Sequence, residues 1–124
     1  VLIRPSVTLA AEGFTLTEKA AREFNRFQKD FAEQNRHTPP VLRAEKWRAG
    51  ERIKFPALAR TLQTIGEQGR AGFYEGWVAD ALVEEMRAGG GLITHQDLAA
   101  YTPVWRAPVR FSYRGHEIIS MPPP

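Results

Sequence analysis

The chain has 124 residues, 43% of them apolar, a formal net charge of +3 and no cysteine. That length suits about one domain; the lack of cysteine excludes disulfides, thiolate catalysis and cysteine-based zinc sites from this segment. Thirteen Arg and four Lys are spread from Arg4 to Arg114 and interleaved with acids, which reads as an ion-paired surface and not as a nucleic-acid-binding face.

No apolar run approaches the roughly 20 residues that cross a bilayer as a helix. Val1-Leu2-Ile3-Arg4-Pro5 is too short an apolar stretch for a signal peptide. Pro5 opens a segment in which Ser6 to Ala11 suits a brief helix ending at Gly13. In Thr15-Leu16-Thr17-Glu18, a Thr followed three residues later by Glu is a capping-box pattern. It predicts a helix over about 17–34, whose apolar positions Ala20, Phe24, Phe27 and Phe31 recur on one face. His37-Thr38-Pro39-Pro40 interrupts it. Val41 to Lys54 is irregular and polar, with Trp47 as an anchor, and is expected to be the most flexible stretch.

A second long helix is expected over about 55–66, with Leu58, Ala59, Leu62 and Ile65 buried and Pro56 in its first turn. A third, over about 77–88, would bury Val78, Ala81, Leu82 and Met86 and stop at Gly89-Gly90-Gly91, where a left-handed C-cap is easy. Thr94-His95-Gln96-Asp97 reads as an N-cap for a short helix over 95–101. The period then changes. Val109, Phe111 and Tyr113 alternate with Arg110, Ser112 and Arg114, as in a strand with one buried face. Arg114-Gly115 suits a tight turn and His116 to Met121 the return strand. The fold class is therefore mainly α with a C-terminal β-hairpin, an α+β fragment with a helical region at 1–103 and a hairpin at 104–124. A strand running into Pro122-Pro123-Pro124 reads as a piece of a longer protein.

No residue set carries visible chemistry. The glycines between Gly66 and Gly76 follow a helix and lack the Lys-Ser/Thr ending of a phosphate loop, so they read as a helix–helix turn. His37, His95 and His116 have no partners at metal-ligand spacing. Glu84 and Glu85 are adjacent and point apart on a helix. Ser112 and Ser120 have no acid–base partner near them in sequence. We assign no catalytic, substrate-binding, cofactor-binding or metal-binding residue, and no cofactor.

Several stretches together carry a family resemblance. These are Pro5-Ser6-Val7-Thr8-Leu9-Ala10-Ala11-Glu12-Gly13-Phe14, Leu58-Ala59-Arg60-Thr61-Leu62 to Gly69, and Gly72-Phe73-Tyr74-Glu75-Gly76. Gly90-Gly91-Leu92-Ile93-Thr94-His95-Gln96-Asp97-Leu98-Ala99-Ala100-Tyr101, Pro108, Tyr113-Arg114-Gly115 and Met121-Pro122-Pro123-Pro124 complete the set. In this order they resemble the large subunit of the gamma-glutamyltransferases (gamma-glutamyltranspeptidases, glutathione hydrolases).

The resemblance implies a parent with the αββα sandwich of the N-terminal nucleophile hydrolases, which cleaves itself into a large and a small subunit. It also implies a periplasmic or extracellular location. An N-terminal threonine of the small subunit, activated by its own α-amino group, would attack gamma-glutamyl amides such as glutathione and pass the acyl group to water or an acceptor. The family's triple proline is followed by Ser-Ser-Gly-Gly. The nucleophile and oxyanion-hole serines lie beyond it, and the arginine that grips the substrate α-carboxylate lies upstream; Arg4 does not match that motif. The segment is thus expected to be inactive alone, with the rest of the large subunit and the small subunit as partners. A related acylase and a non-enzymatic helical interaction module are the alternatives. The hairpin is expected to self-associate through 109–113 or 118–121.

Overall fold

The computed structural model describes residues 2–123; Val1 and Pro124, the last of the three prolines, lie outside them. Helix α1 spans Arg4–Glu12, with Pro5 in its first turn. It starts two residues before the predicted one, because proline tolerates the unbonded first turn. Gly13 ends it at φ 86°. A Cβ there would meet the Ile53 carbonyl oxygen at 2.5 Å, so position 13 needs glycine for both its conformation and the close approach of the next element.

That element is a two-stranded antiparallel sheet absent from the sequence-based expectation. Strand β1 (Phe14–Thr15) pairs with β2 (Arg52–Ile53), Phe14 opposite Ile53 and Thr15 opposite Arg52. Thr15 therefore cannot cap the following helix. Thr17 is the N-cap, its hydroxyl accepting from the Ala20 N–H at 3.2 Å.

The expected helix over 17–34 is two helices, α2 (Glu18–Arg26) and α3 (Gln28–Gln34), which share Phe27 as a cap. The break coincides with Gln28. Its side-chain amide donates to the Phe24 carbonyl at 3.0 Å and to the Val41 carbonyl at 2.8 Å. A side chain inserted into the helical ladder is a recognised cause of a kink.

The loop between α3 and β2 is where the sequence-based expectation fails most. Expected to be flexible, it supplies Val41 and Trp47 to a core completed by Ile53 of β2, Leu16 and Ala21, with Phe24, Phe31 and Phe55 packed against it. Polar hydrogen bonds hold it there. Asn25 pairs with the Trp47 backbone twice, accepting from its N–H and donating to its carbonyl, each at 2.8 Å. The Trp47 indole N–H donates to the Val41 carbonyl at 2.8 Å. A polar composition is no guide to mobility when each polar group has a fixed partner.

Helix α4 (Pro56–Gln68) packs along α1. Ala59 is buried, but Leu58 is about half exposed and faces a small apolar groove with Leu9, Phe14 and Phe55. A single turn, α5 (Ala71–Tyr74), then leads into α6 (Gly76–Gly89). Gly72 lies so close to α4 that a Cβ would meet the Thr64 carbonyl oxygen at 2.4 Å.

Helix α6 buries Val78, Ala79 and Val83. Ala81, expected inside, is exposed, because α7 (His95–Ala100) packs Leu98 against Ala79 and Val83 and turns that stripe inward. A left-handed Gly90 caps α6. Thr94 and Asp97 form a reciprocal capping box at the start of α7.

The C-terminal hairpin has the predicted form. Strand β3 (Val109–Tyr113) pairs antiparallel with β4 (His116–Ser120) around Arg114-Gly115, both at positive φ. Its packing departs from the expected one-sided burial. No residue of either strand is buried; Phe111 and Tyr113 are 50% and 58% exposed, and only Ile118 is partly covered. The linker before it, 102–108, is exposed throughout, with Trp105 fully so. The whole chain presents 10023 Å² of accessible surface, against about 6,700 Å² for a compact monomer of its mass.

Candidate functional site

Several polar clusters among the described residues brace the fold. The largest closes the loop after α3. The Arg43 guanidinium bonds the Glu51 carboxylate, donates to the Lys46 carbonyl at 2.8 Å and the Glu45 carbonyl at 3.0 Å, and lies 3.7 Å from the Trp47 ring centroid. Glu51 also accepts from the Arg48 backbone N–H at 3.0 Å. That N–H, and then Arg43, hold the Glu51 carboxyl below its ordinary range against an opposing desolvation cost. The guanidinium bonds run to carbonyls and a carboxylate of the loop itself, and the Arg43 backbone N–H donates to Gln28 Oε1 on α3 at 3.1 Å, so the cluster serves to hold the loop.

Asp97 is also held below its ordinary range, by the Thr94 hydroxyl and then the Thr94 backbone N–H. Both bonds belong to the cap of α7.

The histidines are placed apart. His37 meets Glu85 at 3.0 Å, with Arg36 3.5 Å from the same carboxylate, and so ties the loop after α3 to α6. His95 meets Asp80 at 2.8 Å between α7 and α6. Both pairs are exposed. Glu85, which the sequence placed on a different helix face from Glu84, is therefore half of an inter-element contact. Asp80 and His95 line an open hollow of about 610 Å³ that also holds Glu84 and Arg87, a mixture of charges with no convergent donor set.

His116 stands opposite Tyr113 on the hairpin, while Ser112 stands opposite Glu117 on the other face. Ser120 shares the face of His116 but lies four residues along the strand, about 13 Å away at the ordinary rise. Among the described residues, neither serine side chain is hydrogen-bonded to a basic group. Among the described residues, no group of three or more His, Cys, Asp or Glu is placed to hold a metal ion. No helix among them is long and apolar enough to cross a membrane.

The cluster around Arg70 escapes sequence reasoning altogether. Arg70 reaches the C-terminal end of α7 and donates to the carbonyls of Ala99 at 2.8 Å and Tyr101 at 2.9 Å. An arginine among glycines carries no signal of a partner some thirty residues away. The same holds for Arg43, whose role depends on a loop conformation that no period announces.

Comparison with known proteins decides what the local geometry leaves open. The family model described as gamma-glutamyltranspeptidase matches residues 1–124. The chain belongs to the gamma-glutamyltranspeptidase family. It is 41% identical to a glutathione hydrolase proenzyme of Pseudomonas sp. (strain A14), over 99% of this chain and 22% of that protein. It is 35% identical to the acylase ACY 1 proenzyme of Pseudomonas sp. (strain SE83), again over 99% and 22%. The crystal structure of Helicobacter pylori gamma-glutamyltranspeptidase superposes with a TM-score of 0.83 at 35% identity, covering 98% of this chain and 36% of that one. The chain thus spans about a fifth of the length of these two curated relatives, both named as proenzymes. Its mainly helical body and terminal hairpin are a section of the N-terminal nucleophile hydrolase fold of that family.

Proposed function

We propose that this chain is a supporting section of the large subunit of a gamma-glutamyltransferase-like enzyme. The parent would cleave gamma-glutamyl amides such as glutathione and pass the acyl group to water or to an amino-acid or peptide acceptor. The observation that carries the reading is the end-to-end family match, in which 99% of this chain aligns within 22% of a glutathione hydrolase proenzyme. The surface excess supports it: a chain with about one and a half times the exposure of a compact monomer carries faces suited to neighbours.

On this reading the helical region 1–103 and the hairpin 104–124 are parts of one larger domain. The remaining large subunit and the small catalytic subunit are the partners. The nucleophile is a threonine of the small subunit, and the residues described here position and support. Alone, the hairpin's open edges would pair with a second copy through 109–113 or 118–121.

The 35% identity to an acylase proenzyme favours one second reading, an enzyme of the same family acting on a different amide. One experiment separates the two. The full-length gene product is assayed with gamma-glutamyl anilide and with glutaryl anilide, which keeps the carboxylate but lacks the α-amino group, and its intact mass is recorded. Two subunits and turnover of the gamma-glutamyl compound are the expected result. Preference for the glutaryl compound would transfer the assignment to the acylases. A single unsplit chain inert to both would overturn the reading.

A further inference from the structure

The chain leaves α7 abruptly. Tyr101 follows the helix at φ −64°, ψ 127°; its N–H still donates to the Asp97 carbonyl at 3.1 Å and the Leu98 carbonyl at 3.4 Å, but this extended conformation leaves the carbonyls beyond Leu98 without backbone donors from the helix. No glycine caps them. The Arg70 side chain takes that place, with Nη2 facing the carbonyls of Leu98 at 3.4 Å, Ala99 at 2.8 Å and Tyr101 at 2.9 Å. A guanidinium suits the negative end of a helix, since it is permanently charged and presents several donors in one plane.

The arginine is itself held. Nη1 lies 3.6 Å from Glu75, and the guanidinium carbon lies 4.9 Å from the Tyr74 ring centroid. Tyr74 in turn stacks on Tyr101, with centroids 5.5 Å apart and planes 15° from parallel. Both the backbone and the side chain of Tyr101 are therefore gripped from α5, one by Arg70 and the other by Tyr74.

Beyond this point the grip stops. Residues 102–108 are exposed without exception. Arg106 donates to the Pro123 carbonyl at 2.8 Å and so closes the linker onto the segment after β4, making 106–123 a loop of its own. Tyr101 is the last residue before that loop which the helical body holds by a hydrogen bond among the described residues.

We propose that Arg70 is a positioning residue. It fixes the angle of the joint at Tyr101, and with it the placement of the hairpin and of the segment after β4 relative to the helical body. The inference rests on the reading of the parent as a gamma-glutamyltransferase-like enzyme. In such an enzyme, misplacing the framework around a reacting centre lowers kcat while leaving substrate binding nearly intact.

The test uses the full-length gene product with Arg70→Ala, Arg70→Lys and Arg70→Gln. Three readings are taken on each: amide exchange of the peptide spanning 96–103, the rate at which two subunits appear, and kcat and KM for gamma-glutamyl anilide. Arg70→Ala is expected to speed exchange at 96–103 about tenfold without changing exchange in α6. It should lower kcat about tenfold with KM within about twofold. Arg70→Lys keeps the charge at the helix end and should recover part of the loss. If Arg70→Ala does not accumulate as folded protein, Arg70→Gln carries the same expectations.

Exchange at wild-type rate in the variants, or faster exchange with processing and kcat unchanged, would overturn the inference. A wild-type parent that neither splits nor turns over the anilide would remove the reading of the parent and the catalytic half of this inference. The exchange comparison would still decide whether Arg70 sets the joint.

Discussion

The loop between α3 and β2 and the C-terminal hairpin invert each other. The loop has no period and a polar composition, yet its Val41 and Trp47 are buried in the larger core. Strand β3 of the hairpin has a clean alternation of apolar and polar residues, yet no residue of either strand is buried. The loop's partners, Asn25 and Gln28 on α2 and α3, lie within the described chain. The hairpin's apolar face has no comparable cover. A pattern states that a face needs burial; it does not say where the partner comes from.

The largest effect is expected at Trp47. Trp47→Ala removes the ring that meets Phe24 edge-on at 6.2 Å, the indole bond to Val41 and the surface beneath Arg43. The expected loss is about 3–5 kcal/mol, read by denaturant unfolding. A loss under about 1 kcal/mol would mean that the loop is as loose as its composition suggests.

Phe111 sharpens the other side. In the full-length protein Phe111→Ala should cost about 3 kcal/mol if neighbouring strands or helices cover this face. A cost near zero would mean that the face stays in water. Next comes Gly72→Ala, which drives a methyl group into the Thr64 carbonyl at 2.4 Å; about 1–3 kcal/mol is expected, measured the same way.

Glu51 offers a pH test of the loop. Its folded carboxyl is held below the ordinary 4.5. Its contribution is therefore present above about pH 4.5 and lost as pH falls through the depressed value. The stability gap between wild type and Glu51→Gln should be constant near neutrality and close in acid; a gap independent of pH would contradict the clasp. The smallest effect is expected at Glu117. Its pair with Arg110 spans 3.0 Å, but both side chains are more than half exposed, so Glu117→Gln should change stability by at most about 0.5 kcal/mol.

Elements whose information is local were legible in the sequence. The hairpin turn at Arg114-Gly115, proline in the first turn of α4, the glycine stop after α6 and the Thr94 cap all follow from residues within a few positions of one another. The end of α2, the sheet joining Phe14 to Ile53 and the inward turn of Val83 were not legible, because each is decided by a contact distant in sequence. The capping box illustrates the limit. Thr15 and Thr94 carry the same signal, and only Thr94 is free to use it, since Thr15 is engaged in a strand with Arg52.

The candidate site divides in the same way. The family was legible from the order of many weak stretches. The braces formed by Arg43 and Arg70 were not, because arginine's partners here are backbone carbonyls, which leave no trace in sequence.

The most direct test of the account is amide exchange across 109–120 in the full-length gene product. If this chain is a supporting section whose hairpin joins a larger sheet, the amides of β3 and β4 should be protected to a degree approaching those of α6. Exchange of the hairpin amides at the rate of an exposed loop, with α6 protected, would contradict it.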